Sequence, residues 1–206
     1  MIYLSDDYIN KYCDVLSYLI GRSIEEGYSF DHIEKSIAHS SLVNELERSN
    51  ITTIAFSSME KIYSDIFPGK DNKYDLDIYG IFGWVGYTYM HLLLTMEITF
   101  EALFYLIPIH DMLNQYHLYH EMDYKQILDY ANEQIKCSIL NVVMKRKKVS
   151  SNELSHSTGL SFATINSLRY GKRDITKLAG DKLLLLSRAL NVKMETLLPQ
   201  IHLIKM

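Results

Sequence analysis

The chain is short of the residues that interrupt helices or cross-link loops. Its 206 residues include three prolines, nine glycines and two cysteines. Two thiols as distant as Cys13 and Cys137 form neither a disulfide framework nor a zinc-ligand spacing. The chain must therefore rely on an apolar core, and reduced thiols in the cytoplasm are expected. So few prolines, with few alternating apolar–polar runs, argue against strands and for helices. No Gly/Ser-rich linker and no internal repeat is present, which excludes a repeat array. The first ten residues carry Asp6 and Asp7 and no basic stretch, unlike a secretory leader. Hydrophobic residues at 48% and charged residues at 22% exclude wholesale disorder.

Long uncharged runs are also scarce. The one that matters is residues 78–96, IYGIFGWVGYTYMHLLLTM. Its nineteen residues are long enough in principle to cross a bilayer. Three glycines, three tyrosines and His91 dilute it, and its flanks are acidic (Asp75, Asp77, Glu97, Glu101) where an anchored span carries basic residues. It is read as a buried core helix, and no membrane partner is expected.

Charge is present but divided. Residues 1–134 hold 8 basic and 21 acidic side chains, a formal −13. Residues 135–206 hold 13 and 4, a formal +9. Two units with different jobs are expected at those boundaries, and the basic one suits nucleic acid.

Helical spacing predicts a helix over residues 7–26, closed by Gly27, and a second after Ser29 as cap. Ser41 opens a third, to Arg48. Residues 51–56 are β-branched and read as an isolated short strand. Ser58 to Phe67 forms another helix, and residues 69–77 a polar loop. After the apolar helix, Thr99 caps residues 100–106, and Pro108 occupies the first turn of the next helix. A last helix from Asp123 is expected to run through Cys137 into Val143, joining the two units.

Residues 149–199 carry the informative pattern. Basic residues 145–148 suit a helix C-terminus. Ser150 and Glu153 have capping-box spacing. A short helix with Leu154 inward ends at Gly159. Ser161 caps a second helix over residues 162–170, with Ile165 and Leu168 inward, ended by Gly171. Helix, glycine turn and polar-faced helix make a helix-turn-helix arrangement.

The strings NELSHSTGLSFATINSLRYGKR and LLLLSRALNVKMETLL resemble the XRE family, the Cro/phage-repressor type of helix-turn-helix domain. The matching positions are Leu154, Thr158, Gly159, Leu160, Ser161, Thr164, Ile165, Leu168, Gly171, Lys172 and Arg173, then Leu183, Leu186, Ala189, Leu190, Val192, Leu197 and Leu198. The resemblance implies an all-α chain ending in a five-helix, lambda-repressor-like domain. It implies that Phe162, Ala163, Asn166 and Ser167 face base edges. It also implies that Ser150, Ser151, Thr164, Arg169, Tyr170, Lys172 and Arg173 lie near phosphates. Asn166 is the candidate for bidentate adenine recognition, and the cations supply salt-dependent affinity. The sequence departs from the family at Ser155 (usually Ala), Phe162 (often Gln), Arg169 (often acidic) and Tyr170 (usually Asn). A leading Phe suits a thymine methyl.

The acidic unit shows no enzyme centre. His110, His117, His120 and Glu121 cluster in sequence but fit no zinc motif, so a metal-dependent hydrolase stays a remote alternative and no metal or cofactor is expected. Trp84, Tyr87, Tyr89 and His91 are read as core before ligand pocket, and Met90, Met96, Met112 and Met122 as filler before partner groove. The expected function is a cytoplasmic, sequence-specific DNA-binding regulator, a repressor acting as a homodimer, because one short helix covers few base pairs. In one version the acidic unit binds a basic toxin, making the chain an autoregulating antitoxin. In the alternative it senses a small ligand.

Overall fold

The computed structural model describes residues 5–47, 51–68, 80–135 and 137–198. The expected polar loop at 69–77, with its acidic run, lies outside the described residues, as do Arg48, positions 78–79 and Pro199. All regular structure among the described residues is helical.

Two long helices form the axis of the acidic unit: α1 (Asp6–Glu25) and α6 (Ile81–Met96). They pack more extensively on each other than any other pair. Gly86 is the reason they can. A Cβ there would stand 2.5 Å from the Cys13 carbonyl oxygen and 2.7 Å from the Ser17 nitrogen. Around this pair lie α2 (Phe30–Ala38), α3 (Ser41–Glu47), α4 (Thr52–Phe56) and α5 (Met59–Ile66). The unit is completed by α7 (Phe100–Leu106), α8 (Ile109–Tyr119) and α9 (Tyr124–Ile135). Val85, Tyr89, Met90 and Leu92 of α6 are fully buried, as the apolar reading of this segment expects. No helix among the described residues is long and apolar enough to cross a membrane.

Local signals set most helix ends. The hydroxyls of Ser29, Ser58 and Thr99 accept from the N–H groups of His32, Lys61 and Ala102, satisfying donors that a helix start leaves open. Pro108 stands at the cap of α8, one residue before the first-turn position expected for it.

Two expectations fail. Residues 51–56 are not a strand: Thr52–Phe56 is helix α4. No second strand exists among the described residues to pair with it. Instead Glu45 accepts from both the N–H and the hydroxyl of Thr53, each at 2.8 Å, while Ile54 enters the core. Tertiary contacts thus override a weak β preference. Nor does one helix run from residue 123 to 143. It stops at Ile135, Cys137 takes a left-handed φ of 99°, and Ser138 caps a new helix, α10 (Ile139–Arg146). The Ser138 hydroxyl accepts from the Asn141 N–H at 3.1 Å and donates to the Arg169 carbonyl at 2.7 Å.

The basic unit follows as α11 (Ser151–Thr158), α12 (Phe162–Arg169), a 3-10 turn at Ile175–Lys177, α13 (Gly180–Leu190) and a closing 3-10 turn at Glu195–Leu197. Its own core gathers Leu154, Ile165, Leu168, Leu186 and Leu190 against Leu140, Val143 and Met144 of α10. Val142, on the same helix, faces the acidic unit's core. One helix therefore serves both cores.

Candidate nucleic-acid interface

The turn between α11 and α12 is built from side-chain chemistry close in sequence. Ser150 and Glu153 form a reciprocal capping box, with the Glu153 carboxylate accepting from the Ser150 N–H at 2.7 Å. That contact holds the Glu153 carboxyl below the usual carboxylate range. Gly159 ends α11 at φ 69°. A Cβ there would meet nothing within 4 Å, so the glycine answers to backbone conformation and not to space. The Thr158 hydroxyl donates to the Leu154 carbonyl at 2.6 Å, and Ser155 donates to the Leu160 carbonyl at 2.6 Å. These bonds fix the angle at which α12 leaves. Ser161 caps α12 by accepting from Thr164 N–H at 3.2 Å.

Helix α12 turns Ile165 and Leu168 inward, fully buried. It leaves Phe162 49% exposed, Ala163 exposed, and Thr164, Asn166 and Ser167 half-buried. Tyr170, Lys172 and Arg173, just beyond its end, are exposed. No acidic side chain lies on α12. Gly171 closes the motif at φ 66°, and here space matters too: a Cβ would stand 2.7 Å from the Cys137 carbonyl oxygen.

A polar chain runs behind the exposed face. Arg169 Nε donates to Asn141 Oδ1 at 3.0 Å, and another of its N–H groups donates to Ser151 Oγ at 3.1 Å. The Ser151 hydroxyl donates to Asn166 Oδ1 at 2.8 Å. Ser151 is buried and Arg169 half-buried, with its guanidinium 5.4 Å from the Tyr170 ring centre. The chain fixes the Asn166 carboxamide so that its amide nitrogen is left for outside contact, and the carbonyl oxygen keeps a second lone pair. Asn141 and Ser138 were not legible as parts of this site, because their partners lie 28 and 31 residues away.

The other sequence candidates are dispersed. His120 stacks on Tyr116 with ring centres 4.4 Å apart, and its Nδ1 lies 2.8 Å from the Tyr116 carbonyl oxygen. His117 meets the edge of Tyr116, and His110 lies 3.5 Å from Asp111. Among the described residues no three His, Cys, Asp or Glu side chains gather as a metal-ligand set. Tyr89 is buried and donates to the Ile107 carbonyl at 2.8 Å, whereas Tyr87 is exposed and packs on His91. Trp84 meets Tyr116 edge-on. These rings do not converge. Met90 and Met112 are core, while Met122 is exposed.

No curated protein and no solved structure matches the chain. A family model does match its C-terminal part, over residues 140–199. The match begins inside α10, the helix that carries Asn141 and completes the smaller core. With the capping box, the glycine turn and the outward polar face of α12 in place, residues 140–199 are a Cro/C1-type HTH DNA-binding domain.

Proposed function

We propose that the chain is a sequence-specific transcriptional regulator, a repressor, whose helix α12 enters the major groove. The observation that carries this is the pinned Asn166 on an acid-free, outward-facing helix. Phe162, Ala163, Asn166 and Ser167 face base edges, with Phe162 against a thymine methyl and Asn166 on adenine. Ser150, Thr164, Tyr170, Lys172 and Arg173 meet phosphates. Ser151 and Arg169 act behind them: the Ser151 hydroxyl and the Arg169 guanidinium hold Asn166 in register, with phosphate contact left to the Ser151 backbone N–H at the start of α11.

One eight-residue helix reads too little sequence, so the working form is a homodimer on a two-fold operator. Leu184 and Leu185, adjacent and exposed on α13, supply an apolar face for self-association. A Leu185→Glu variant that stays dimeric in sedimentation contradicts that face.

The acidic unit has two readings. A formal −13 supports docking of a basic protein, which makes the chain an autoregulating antitoxin of the cytoplasm. Exposed Leu118 and Met122 give that surface an apolar component. A second reading, a ligand-sensing regulator, is favoured by a cleft at the junction of the units, described below. The experiment for the main reading is anisotropy of the full chain on the DNA upstream of its own coding sequence and on a scrambled duplex. Preference for the former supports an autoregulating repressor. Equal binding to both refutes autoregulation.

A further inference from the structure

The two units meet across an open cleft of about 530 Å³, within the range of small-molecule sites. One wall is Lys35 and His39 of α2 with Glu101 and Tyr105 of α7. The other is Lys147, just after α10, and the turn at residues 191–193 that follows α13. We propose that this cleft binds a small polyanion, a phosphate ester or a polycarboxylate, and that its occupancy sets the affinity for DNA. The second half of that statement rests on the DNA-binding reading; the first does not.

Three lysines line the cleft against one carboxylate. That carboxylate is engaged within the junction. Glu101 accepts from the Lys193 N–H at 3.1 Å and from the Thr196 hydroxyl, and its other oxygen lies 3.9 Å from His39 Nε2. Lys193 Nζ donates to the Ala38 carbonyl at 3.0 Å and to Asn44 Oδ1 at 2.9 Å, which anchors it across the junction. Lys147 Nζ donates to the Asn191 carbonyl at 3.0 Å and stands 5.3 Å from the Tyr105 ring centre. Burial lowers the Lys147 pKa, and Lys35 pushes the same way against the opposing pull of Glu101 and Asp31. Lys35 is paired with Asp31 at 2.7 Å, but both side chains are exposed, and such a pair holds weakly. An anion in the cleft gives Lys147 and Lys35 a shared counter-charge, while Tyr105 offers an aromatic wall to its organic part.

The position gives the regulation. Lys35, His39 and Tyr105 belong to the acidic unit; Lys147 and Lys193 belong to the unit that carries α12. A ligand held by both is sensitive to how the units sit, so its binding and DNA binding shift each other by the same factor.

The test uses the full chain, with pyrophosphate and citrate as separate probes against sodium chloride at matched ionic strength. The expected result is saturable thermal stabilisation and a calorimetric isotherm with at least one probe. Pyrophosphate alone assigns a phosphate ester, citrate alone a polycarboxylate. Lys35→Glu, at an exposed position that leaves the core untouched, weakens that isotherm at least tenfold. No saturable binding beyond the salt control, or equal binding by Lys35→Glu, overturns the site. At matched ionic strength the bound probe then changes DNA affinity by about 5–150-fold in the unaltered chain and not in Lys35→Glu. Binding of the probe with unchanged DNA affinity overturns the coupling. Absence of DNA binding under every condition refutes the DNA reading, while the isotherm still judges the cleft.

Discussion

The two units are held together by different kinds of information. In the basic unit, the helix starts and the turn are fixed by residues within five positions of one another: Ser150 with Glu153, Thr158 with Leu154, Ser155 with Leu160, Ser161 with Thr164. In the acidic unit the decisive contacts are distant. Glu26 accepts from the Tyr63 hydroxyl 37 residues away, Glu34 from the Ile109 N–H 75 residues away, and Gly86 admits the backbone of Cys13 and Ser17. A local code specifies a recognisable reading head. A non-local one specifies the body that packs against it.

Breaking the non-local packing should have the largest effect. Gly86→Val places a branched side chain where even a Cβ meets backbone at 2.5 Å. It should cost about 3 kcal/mol or more in urea unfolding. A loss under 1 kcal/mol would show that α1 and α6 can part cheaply.

Cutting the junction comes next. Glu101→Ala leaves the Lys193 N–H and the Thr196 hydroxyl without their acceptor, and should cost about 2–3 kcal/mol. The chain has one tryptophan, Trp84, on α6 of the acidic unit, so its fluorescence reports that unit alone. In the unaltered chain the fluorescence and circular-dichroism transitions should coincide. In Glu101→Ala they should separate, because the smaller core then stands with less support. Coincident transitions in the variant would mean that α10 alone couples the units.

The acidic unit also carries a pH dependence through a buried carboxyl, whereas the carboxyl shifted by the Ser150 cap in the basic unit, Glu153, is shifted downward. Burial pushes the Glu34 carboxyl up to about 7, with Asp31 and Asp111 adding to the shift and the Ile109 N–H and Arg146 opposing it. The folded chain therefore holds this proton more tightly than the unfolded chain, whose carboxyl titrates near 4.5. Stability from this group is full below about 4.5 and falls as pH rises toward 7. Glu34→Gln should flatten that slope and raise stability at pH 8 by about 2 kcal/mol. An unchanged slope between pH 5 and 7 would contradict the assignment.

The smallest effects sharpen the reading head. Asn166→Ala should relax discrimination at one base pair by about 1–3 kcal/mol, measured on a panel of single-base operator variants. Lys172→Ala should weaken all duplexes alike and lower the salt slope by about one. Equal losses on all sequences for both would mean that α12 is not the reading helix.

The same contrast explains what was legible beforehand. Caps and turn glycines could be assigned from sequence because each has a partner three to five residues away, and the inward positions of α11 and α12 because helical spacing places them on one face. The 51–56 segment misled because its β-branched residues express only a weak preference, which Glu45 overrides through Thr53. The break at Cys137 was hidden because it serves a contact 31 residues on, between Ser138 and the end of α12. The support of Asn166 through Ser151, Arg169 and Asn141 was hidden for the same reason. The lysine-lined cleft draws on four separated segments, and no spacing announces it.

The most direct test of the central claim is selection of the full chain on a random duplex pool, followed by anisotropy on the recovered sequence at two salt concentrations. The account predicts one two-fold-symmetric site, bound in a salt-dependent manner, with discrimination at one base pair of each half-site relaxed in Asn166→Ala. Recovery of no common sequence, or discrimination that Asn166→Ala leaves unchanged at every base pair, would contradict it.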